Sequence, residues 1–263
     1  MKESIALSPC PNDTFIFYHF LQKHGWTPFF HDVEELNQIA LTEKRYVLTK
    51  LSFAAYFQLE EDYVLLDAGG AMGRGCGPIL ITTPGQSLKS VRAIVTPGEH
   101  TTAQLLAAAY LKGQGQRIPF LTMRYDQIMT SLAGDASLAG IIIHEDRFSY
   151  KERGLSPLVD LGKWGENETG EPIPLGCIAL LREHAKEKEH LEGLIRRSIE
   201  EAWQKGPDWN FIRSHAQSLS DTVIRAHIDL YVNDYSLDWG LDGRQAIGLL
   251  RANSQRATAQ GER

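Results

Sequence analysis

The order of segments along this 263-residue chain predicts an α/β protein of two lobes, with a hinge and a cleft between them. Three observations predict this class. Short apolar runs alternate with helical patterns, a second set of such units follows in the middle of the chain, and one late strand leads into a helical C-terminal part. We expect residues 1–83 and 178–263 to form a larger discontinuous lobe and residues 84–177 to form a smaller inserted lobe. The cleft between the lobes is then the expected ligand site.

The first set of units begins at the N-terminus. A strand at Ser4–Leu7 ends in the segment SPCP, and Asn12 or Asp13 can cap the helix that follows. Ser52 is suited to cap a second helix, over 53–57, in the same way. These junctions place polar side chains where strands end and helices begin.

A glycine-rich stretch occupies residues 69–77. Neither of the phosphate-binding patterns GxxxxGKS/T and GxGxxG occurs in it, so we expect a flexible loop beside the hinge. The strands predicted at 77–82 and 175–181 are the two expected crossings between the lobes.

The remaining units follow in order. Further strands are predicted at 63–67, 91–95, 120–123 and 139–143, and further helices at 101–111, 126–132, 185–205, 220–232 and 242–250. Over 185–205 the apolar side chains recur with a helical period and leave the charged side chains on the opposite face.

The composition is that of an ordinary soluble globular protein. Hydrophobic residues make up 43% and charged residues 23%, and 27 Lys and Arg against 33 Asp and Glu leave a formal charge of −6. Nucleic-acid binding usually requires a basic stripe, so this acidity argues against a nucleic-acid partner. No run approaches the roughly 20 apolar residues that span a bilayer, and the first residues lack the apolar run of a signal peptide. We therefore expect a cytoplasmic protein with no membrane partner.

The three cysteines are Cys10, Cys76 and Cys177, which are widely spaced and odd in number. This spacing argues against a disulfide framework or a zinc knuckle, and we expect small thiols at tight turns. His144, Glu145 and Asp146 are consecutive, so their side chains point in different directions and form a poor metal site. The GxSxG and HExxH patterns are absent as well. We expect neither a metal nor a redox cofactor.

His144 is the strongest candidate for chemistry. It closes the apolar run 139–143, and in open α/β sheets ligands bind beyond the carboxyl ends of the strands. A histidine at such a position has a pKa suited to removing a proton near neutral pH. The alternative is a structural histidine that only bonds a neighbouring loop.

Two strand-to-helix junctions are candidates for binding an anion. Thr101 and Thr102 open a helix, where free backbone N–H groups and two hydroxyls can hold a carboxylate or a phosphate. The alternative is simple N-capping, which requires one hydroxyl. The segment Lys50-Leu51-Ser52 adds a charge and a hydroxyl, although Lys50 can equally be a solvated surface lysine.

The segment from Ser8 to Asn12 is stiffened by two prolines, Pro9 and Pro11, at the start of the first helix. Such rigidity suits the holding of a ligand against the helix terminus. Asn12 can also serve only as a cap.

Taken together, the segments resemble the 1,4-dihydroxy-6-naphthoate synthase family of the futalosine route to menaquinone. The resemblance runs in order over nearly the whole chain, through SPCPNDTFIF, DVEELN, TKLSFAAY, GRGCGPIL, PGEHTTAQLL, AGIIIHEDRFSY, IPLGCIAL and YVNDYSLDWGLDGRQAI. One departure is the stretch LNQIALTEKRYVLTKLS, where the family often has a glycine-containing turn.

The resemblance implies a two-lobed fold like that of type II periplasmic binding proteins. It implies cleavage of a small anionic substrate, cyclic dehypoxanthine futalosine, to 1,4-dihydroxy-6-naphthoate without a cofactor. It also implies His144 as general base, and substrate contacts from the residues Lys50, Leu51, Ser52, Thr101, Thr102, Ser8, Pro9 and Asn12.

Two other functions share this fold. A solute-binding protein that feeds a transporter would carry a signal peptide or a lipid-attachment cysteine, and no apolar run precedes Cys10. A chorismate dehydratase of the same pathway is the second alternative, against which the SPCPNDTF and HTTAQLL segments argue. No feature of the sequence predicts the oligomeric state.

Overall fold

A computed structural model describes residues 3–216 and 220–261. Its strands are β1 (Ser4–Leu7), β2 (Thr27–Phe30), β3 (Leu48–Ser52), β4 (Tyr63–Leu65), β5 (Ala71–Gly73), β6 (Ile79–Thr82), β7 (Ala93–Thr96), β8 (Phe120–Thr122), β9 (Leu138–Ile142), β10 (Ser156–Asp160) and β11 (Ile173–Leu181). They form two sheets. The first has the order β2-β1-β3-β11-β4, with β5 also paired to β11, and the second has the order β10-β6-β9-β7-β8.

Helices connect and cover these strands. They are α1 (Pro11–His24), α2 (Val33–Thr42), α3 (Phe53–Tyr56), α4 (Thr102–Gly113), α5 (Tyr125–Gly134), α6 (Asp146–Ser149), α7 (Leu161–Thr169), α8 (Lys188–Lys205), α9 (Trp209–His215), α10 (Asp221–Tyr231), α11 (Asp234–Leu237) and α12 (Gly240–Gly261). A 3-10 helix over Arg182–Glu187 joins β11 to α8. No helix within 3–216 and 220–261 combines the length and the apolar character needed to cross a membrane.

Parallel β/α units build one half of each sheet, as the alternation of segments predicts. In the first sheet β1 runs parallel to both β2 and β3, and in the second sheet β7 runs parallel to both β8 and β9. Parallel strands need a crossover connection, which α1 and α2 supply around β1 to β3. The carboxyl ends of β1 and β3 therefore lie at one edge, where α1 and α3 begin.

The returning strand β11 is nine residues long and runs antiparallel to β3, β4 and β5. Its inner residues, such as Cys177 and Ile178, are fully buried, because the strand lies inside the first sheet with α-helices on its faces. The predicted α/β class is confirmed.

The sheet membership of two strands differs from the boundaries expected at 83/84 and 177/178. Ile79–Thr82 pairs with β9 and β10 and so belongs to the second sheet, whereas β11 pairs only with strands of the first sheet among the described residues. The chain changes sheets before residue 79 and again before residue 173. The division of the chain into two domains stays a prediction.

The glycine-rich stretch was predicted as a flexible loop, and this prediction is wrong for its middle. Residues Ala71–Gly73 form the buried strand β5 against β11. A Cβ on Gly70 would lie 1.9 Å from the ring of Trp239, a side chain with no solvent exposure. Gly70 therefore serves close packing rather than flexibility.

Candidate active site

A cavity lies between the two sheets, beyond the ends of β1, β3 and β9. It holds about 670 Å³ of space, part of which is continuous with solvent. Eight of the nine predicted site residues line it: Ser8, Asn12, Lys50, Leu51, Ser52, Thr101, Thr102 and His144. Pro9 is not among the lining residues. Neighbouring residues of an extended segment point to opposite sides, which separates Pro9 from Ser8.

The backbone at His144 is strained. The residue lies two positions after the end of β9 and has a φ of 52°, in the left-handed region that favours glycine. Its Nδ1 atom lies 3.5 Å from Sγ of Cys10, and its ring meets the ring of Tyr125 edge-on at 5.3 Å between centroids. Strain of this kind persists only where the surrounding structure enforces it, and it is concentrated at functional sites.

The pKa of His144 is lowered to about 4, mainly because burial disfavours the imidazolium. The nearby charge of Asp13 opposes this shift and that of Lys50 adds to it. His144 is therefore neutral near pH 7 and has a nitrogen lone pair that can accept a proton.

Asp13 is the centre of a buried network that the sequence did not reveal. Its Oδ1 accepts hydrogen bonds from Lys50 Nζ at 2.7 Å and from Asn12 Nδ2 at 2.9 Å. Its Oδ2 accepts from the hydroxyl of Ser8 at 2.7 Å and from the backbone N–H of Ser8 at 3.1 Å. Four donors satisfy the carboxylate, so its charge is tolerated without any exposure to solvent.

This network corrects two expectations. Asn12 and Asp13 do not cap α1, because the cap residue is Cys10 and the helix begins at Pro11. Lys50 is not a solvated surface lysine, because its side chain is only 7% exposed and is paired with Asp13.

A second histidine, His227 of α10, was not predicted. It has no solvent exposure, lines the cavity, and its ring is stacked on that of His144 at 20° and 6.3 Å between centroids. Its Nε2 lies 3.0 Å from Oδ1 of Asn12, 215 positions earlier in the chain. No local pattern could have marked this residue, since it lies on an ordinary amphipathic helix.

The threonine pair stands at the first turn of α4. Thr101 is the N-cap and accepts a hydrogen bond from the N–H of Gln104, while the Thr102 hydroxyl donates to the carbonyl of Leu175 at 2.9 Å. Thr102 and Ala103 both line the cavity. The first N–H groups of a helix have no partner within it, so this terminus presents donors and a positive dipole end to the cavity.

Ser52 does not cap α3 with its side chain. Instead Asn37 of α2 binds it twice, accepting from the Ser52 N–H at 2.9 Å and donating to the Ser52 hydroxyl at 3.1 Å. Asn37 also donates to the carbonyl of His100, whose own N–H donates to Oε2 of Glu34 at 3.1 Å. Helix α2 therefore ties the β3–α3 junction to the loop that precedes α4.

The cysteines are free and buried. Burial raises the pKa of Cys76 to about 12 and raises the pKa values of Cys10 and Cys177 as well. None of the three thiols is therefore activated as a nucleophile. Among the described residues, no group of three or more His, Cys, Asp and Glu side chains is placed to hold a metal ion.

Comparison with solved structures supports the fold. A protein of Archaeoglobus fulgidus superposes with a TM-score of 0.86 at 28% identity, covering 97% of both chains. The periplasmic aliphatic sulphonate binding protein SsuA of Escherichia coli has a TM-score of 0.63 at 12% identity, over 95% of this chain and 86% of its own. The predicted fold like that of periplasmic binding proteins is confirmed.

Comparison of sequences identifies relatives of known function. A family model described as menaquinone biosynthesis matches residues 4–255. The 1,4-dihydroxy-6-naphthoate synthase of Thermus thermophilus is 44% identical over 95% of this chain and 93% of its own. That of Streptomyces coelicolor is 38% identical over 98% of this chain and 93% of its own. Both synthases match this chain over nearly its full length, and the chain belongs to the menaquinone biosynthesis family.

Proposed function

We propose that this protein is a carbon–carbon lyase that converts cyclic dehypoxanthine futalosine to 1,4-dihydroxy-6-naphthoate, with His144 as general base. The single observation that carries the proposal is the position of His144. It is a histidine of low pKa on a strained turn, and it faces a cavity that also receives the first turn of α4. The names of the two synthases agree with this assignment.

The first turn of α4 is the proposed site for the carboxylate of the substrate. Its N–H groups suit an anion. The hydroxyls of Thr101 and Thr102 already donate their single hydrogens to the carbonyls of Gly98 and Leu175, so the backbone supplies the donors. Lys50 is already paired with Asp13 at 2.7 Å, so we assign it to the support of Ser8 and Asn12 rather than to direct neutralisation of the substrate.

The proposed reaction begins with removal of a proton next to a carbonyl. The electron pair then moves into the ring system, and the carbon–carbon bond breaks with its own pair leaving on the sugar-derived fragment. That fragment takes up the proton held by His144, and the new ring becomes aromatic. A positioned base contributes about 10²–10⁴-fold to such a step. Orientation of the substrate in the cavity and exclusion of water supply the rest.

The test is to incubate the purified protein with cyclic dehypoxanthine futalosine and to follow 1,4-dihydroxy-6-naphthoate by chromatography. We expect His144→Ala to lose about 10²–10⁴-fold in kcat, because the base is removed, while product still binds. His184→Ala is the matched control, since His184 is paired with Glu187 in the 3-10 helix outside the cavity.

Turnover by His144→Ala close to that of the unaltered protein would refute the role of His144. Tight binding of the compound with no product from the unaltered protein would refute the lyase and favour a solute-binding function. We further propose a cytoplasmic location, because three free, buried thiols suit a reducing compartment.

A further inference from the structure

One ring nitrogen of His227 and one carboxylate oxygen of Glu145 face each other, and each lacks a hydrogen-bond partner among the described residues. The Nδ1 atom of His227 lies 4.0 Å from Oε2 of Glu145, and neither atom has another partner within the described residues. His227 has no solvent exposure and Glu145 has 6%. Two unpartnered polar atoms in a buried site are costly, so this pair requires an explanation.

The hydrogen bonds around Asn12 determine the tautomer of His227. Asn12 Nδ2 donates to the carboxylate of Asp13 at 2.9 Å, which leaves Asn12 Oδ1 as the acceptor facing His227 at 3.0 Å. The Nε2 atom of His227 must then carry a hydrogen. In a neutral ring the Nδ1 atom is consequently a bare acceptor, and an ionised Glu145 would oppose it with a second acceptor.

We propose that His227 Nδ1 and Glu145 Oε2 close the 4.0 Å gap between them to hydrogen-bond distance and share one buried proton, and that this pair holds the strained turn and the ring of His144 in position for catalysis. His227 and Glu145 are positioning residues in this proposal. The predicted effects of this pair on turnover rest on the proposed function, whereas the shared proton itself does not.

The pair reaches His144 in two ways. Glu145 is the next residue after His144, whose backbone has a φ of 52°, so fixing the Glu145 side chain fixes the turn. The Tyr125 hydroxyl donates to the other oxygen of Glu145 at 3.5 Å. His227 in turn is stacked on the ring of His144. Asn12 fixes the Nε2 atom of His227, and Glu145 fixes its Nδ1 atom.

The charges around the pair favour a retained proton near Glu145. Burial raises the pKa of Glu145, and Asp126 raises it further. Burial lowers the pKa of His227, and His144 and Lys50 lower it further. The other titratable groups facing the pair are Cys10, Tyr125 and Asp146, with Asp13 behind Asn12 and Tyr231 against the His227 ring. The shared proton is therefore lost as the pH rises.

The first experiment compares Glu145→Gln with Glu145→Ala and His227→Gln. Glu145→Gln keeps a donor for Nδ1 but cannot ionise, so we expect its kcat within about threefold of that of the unaltered enzyme. We also expect kcat to fall at high pH in the unaltered enzyme, which loses the shared proton, and not in Glu145→Gln. The other two variants break the pair, and we expect kcat to fall about 10–100-fold with KM within about threefold, as for a misplaced catalytic group. Equal losses in Glu145→Gln and Glu145→Ala would overturn the proposal.

The second experiment does not depend on turnover. In ¹⁵N-histidine-labelled protein, with His227→Gln assigning the signals, we expect Nε2 to be protonated and Nδ1 to show a hydrogen-bonded nitrogen. In Glu145→Ala the Nδ1 signal should move to that of a bare nitrogen. A bare Nδ1 in the unaltered protein would overturn the shared proton, even if Glu145→Ala fails to fold. Failure to convert cyclic dehypoxanthine futalosine, with these signals as expected, would refute the proposed function instead.

Discussion

At the scale of single residues, the sequence revealed the groups that stand at strand ends but not the partners that hold them. His144 could be predicted because it directly follows an apolar run. Asp13 and His227 could not, because their roles arise from contacts with Lys50 and Asn12 that lie 37 and 215 positions away. A single sequence contains no local signal for such distant pairing. The roles expected for the eight cavity residues stay predictions.

The low pKa of His144 has a consequence for the pH dependence of kcat/KM. Burial lowers this pKa to about 4, so the basic form exists above about pH 4 and is lost as the pH falls through that value. We expect the acid limb of kcat/KM, which reports the free enzyme, near pH 4 rather than at the ordinary histidine value of about 6.5. Steady-state rates between pH 3.5 and pH 8, with circular dichroism to verify folding, measure it. An acid limb near pH 6.5 would contradict the assignment.

At the scale of elements, several strands and helices with apolar periodicity were predicted, whereas others, among them β2, β5 and α2, were missed. Ser4–Leu7 matches in full, the predicted strand over 77–82 contains Ile79–Thr82, and most of the predicted helix over 185–205 is α8. The strand Thr27–Phe30 contains a proline and lies exposed at a sheet edge, and Ala71–Gly73 lies within the glycine stretch. Both are stabilised by their neighbours in the sheet rather than by local preference.

A close approach of two backbones gives a test at this scale. A Cβ on Gly77, just before β6, would lie 2.3 Å from Cα of Gly162 in α7. We expect Gly77→Ala to reduce the free energy of unfolding by about 1–3 kcal/mol, because a backbone must move to relieve the overlap. Chemical denaturation measures the change.

The matched control for Gly77→Ala is Gly248→Ala. Gly248 lies in α12, and apart from its chain neighbours and the helix's own backbone no atom of the described residues lies within 4 Å of an added Cβ. There we expect a gain of about 0.5–1 kcal/mol, because alanine has the higher helix propensity. An unchanged denaturation midpoint for Gly77→Ala would mean that the two backbones do not meet as described.

At the scale of the whole molecule, α2 connects the two sides of the cavity. Asn37 holds Ser52 beside the first sheet, and Glu34 accepts from His100 in the loop after β7 of the second sheet. A Cβ on Gly98 would lie 2.3 Å from Oε2 of Glu34, so the loop approaches the carboxylate as closely as glycine allows. The sequence predicted two lobes and a cleft. It did not predict α2, the helix that connects the two sides of the cavity.

This connection predicts the effect of Glu34→Ala on substrate binding. Loss of the carboxylate leaves the His100 N–H without its partner and loosens the first turn of α4 against Ser52. We expect KM for cyclic dehypoxanthine futalosine to rise about tenfold, which corresponds to about 1.4 kcal/mol, with kcat little changed. Glu35→Ala is the control, because Glu35 is exposed and pairs with His31. A KM equal in the two variants would show that α2 does not position the binding residues.

The pairing of β5 with β11 also bears on how the chain folds. Gly73 and Ile173 are register partners, although about 100 positions separate them. Pairing such distant segments directly has an entropic cost of loop closure, which grows with the logarithm of the number of residues between them. If the second sheet forms first, it brings both ends of the intervening chain together and shortens the loop that remains open. We therefore expect the first sheet to complete its pairing late, after the intervening segment has folded.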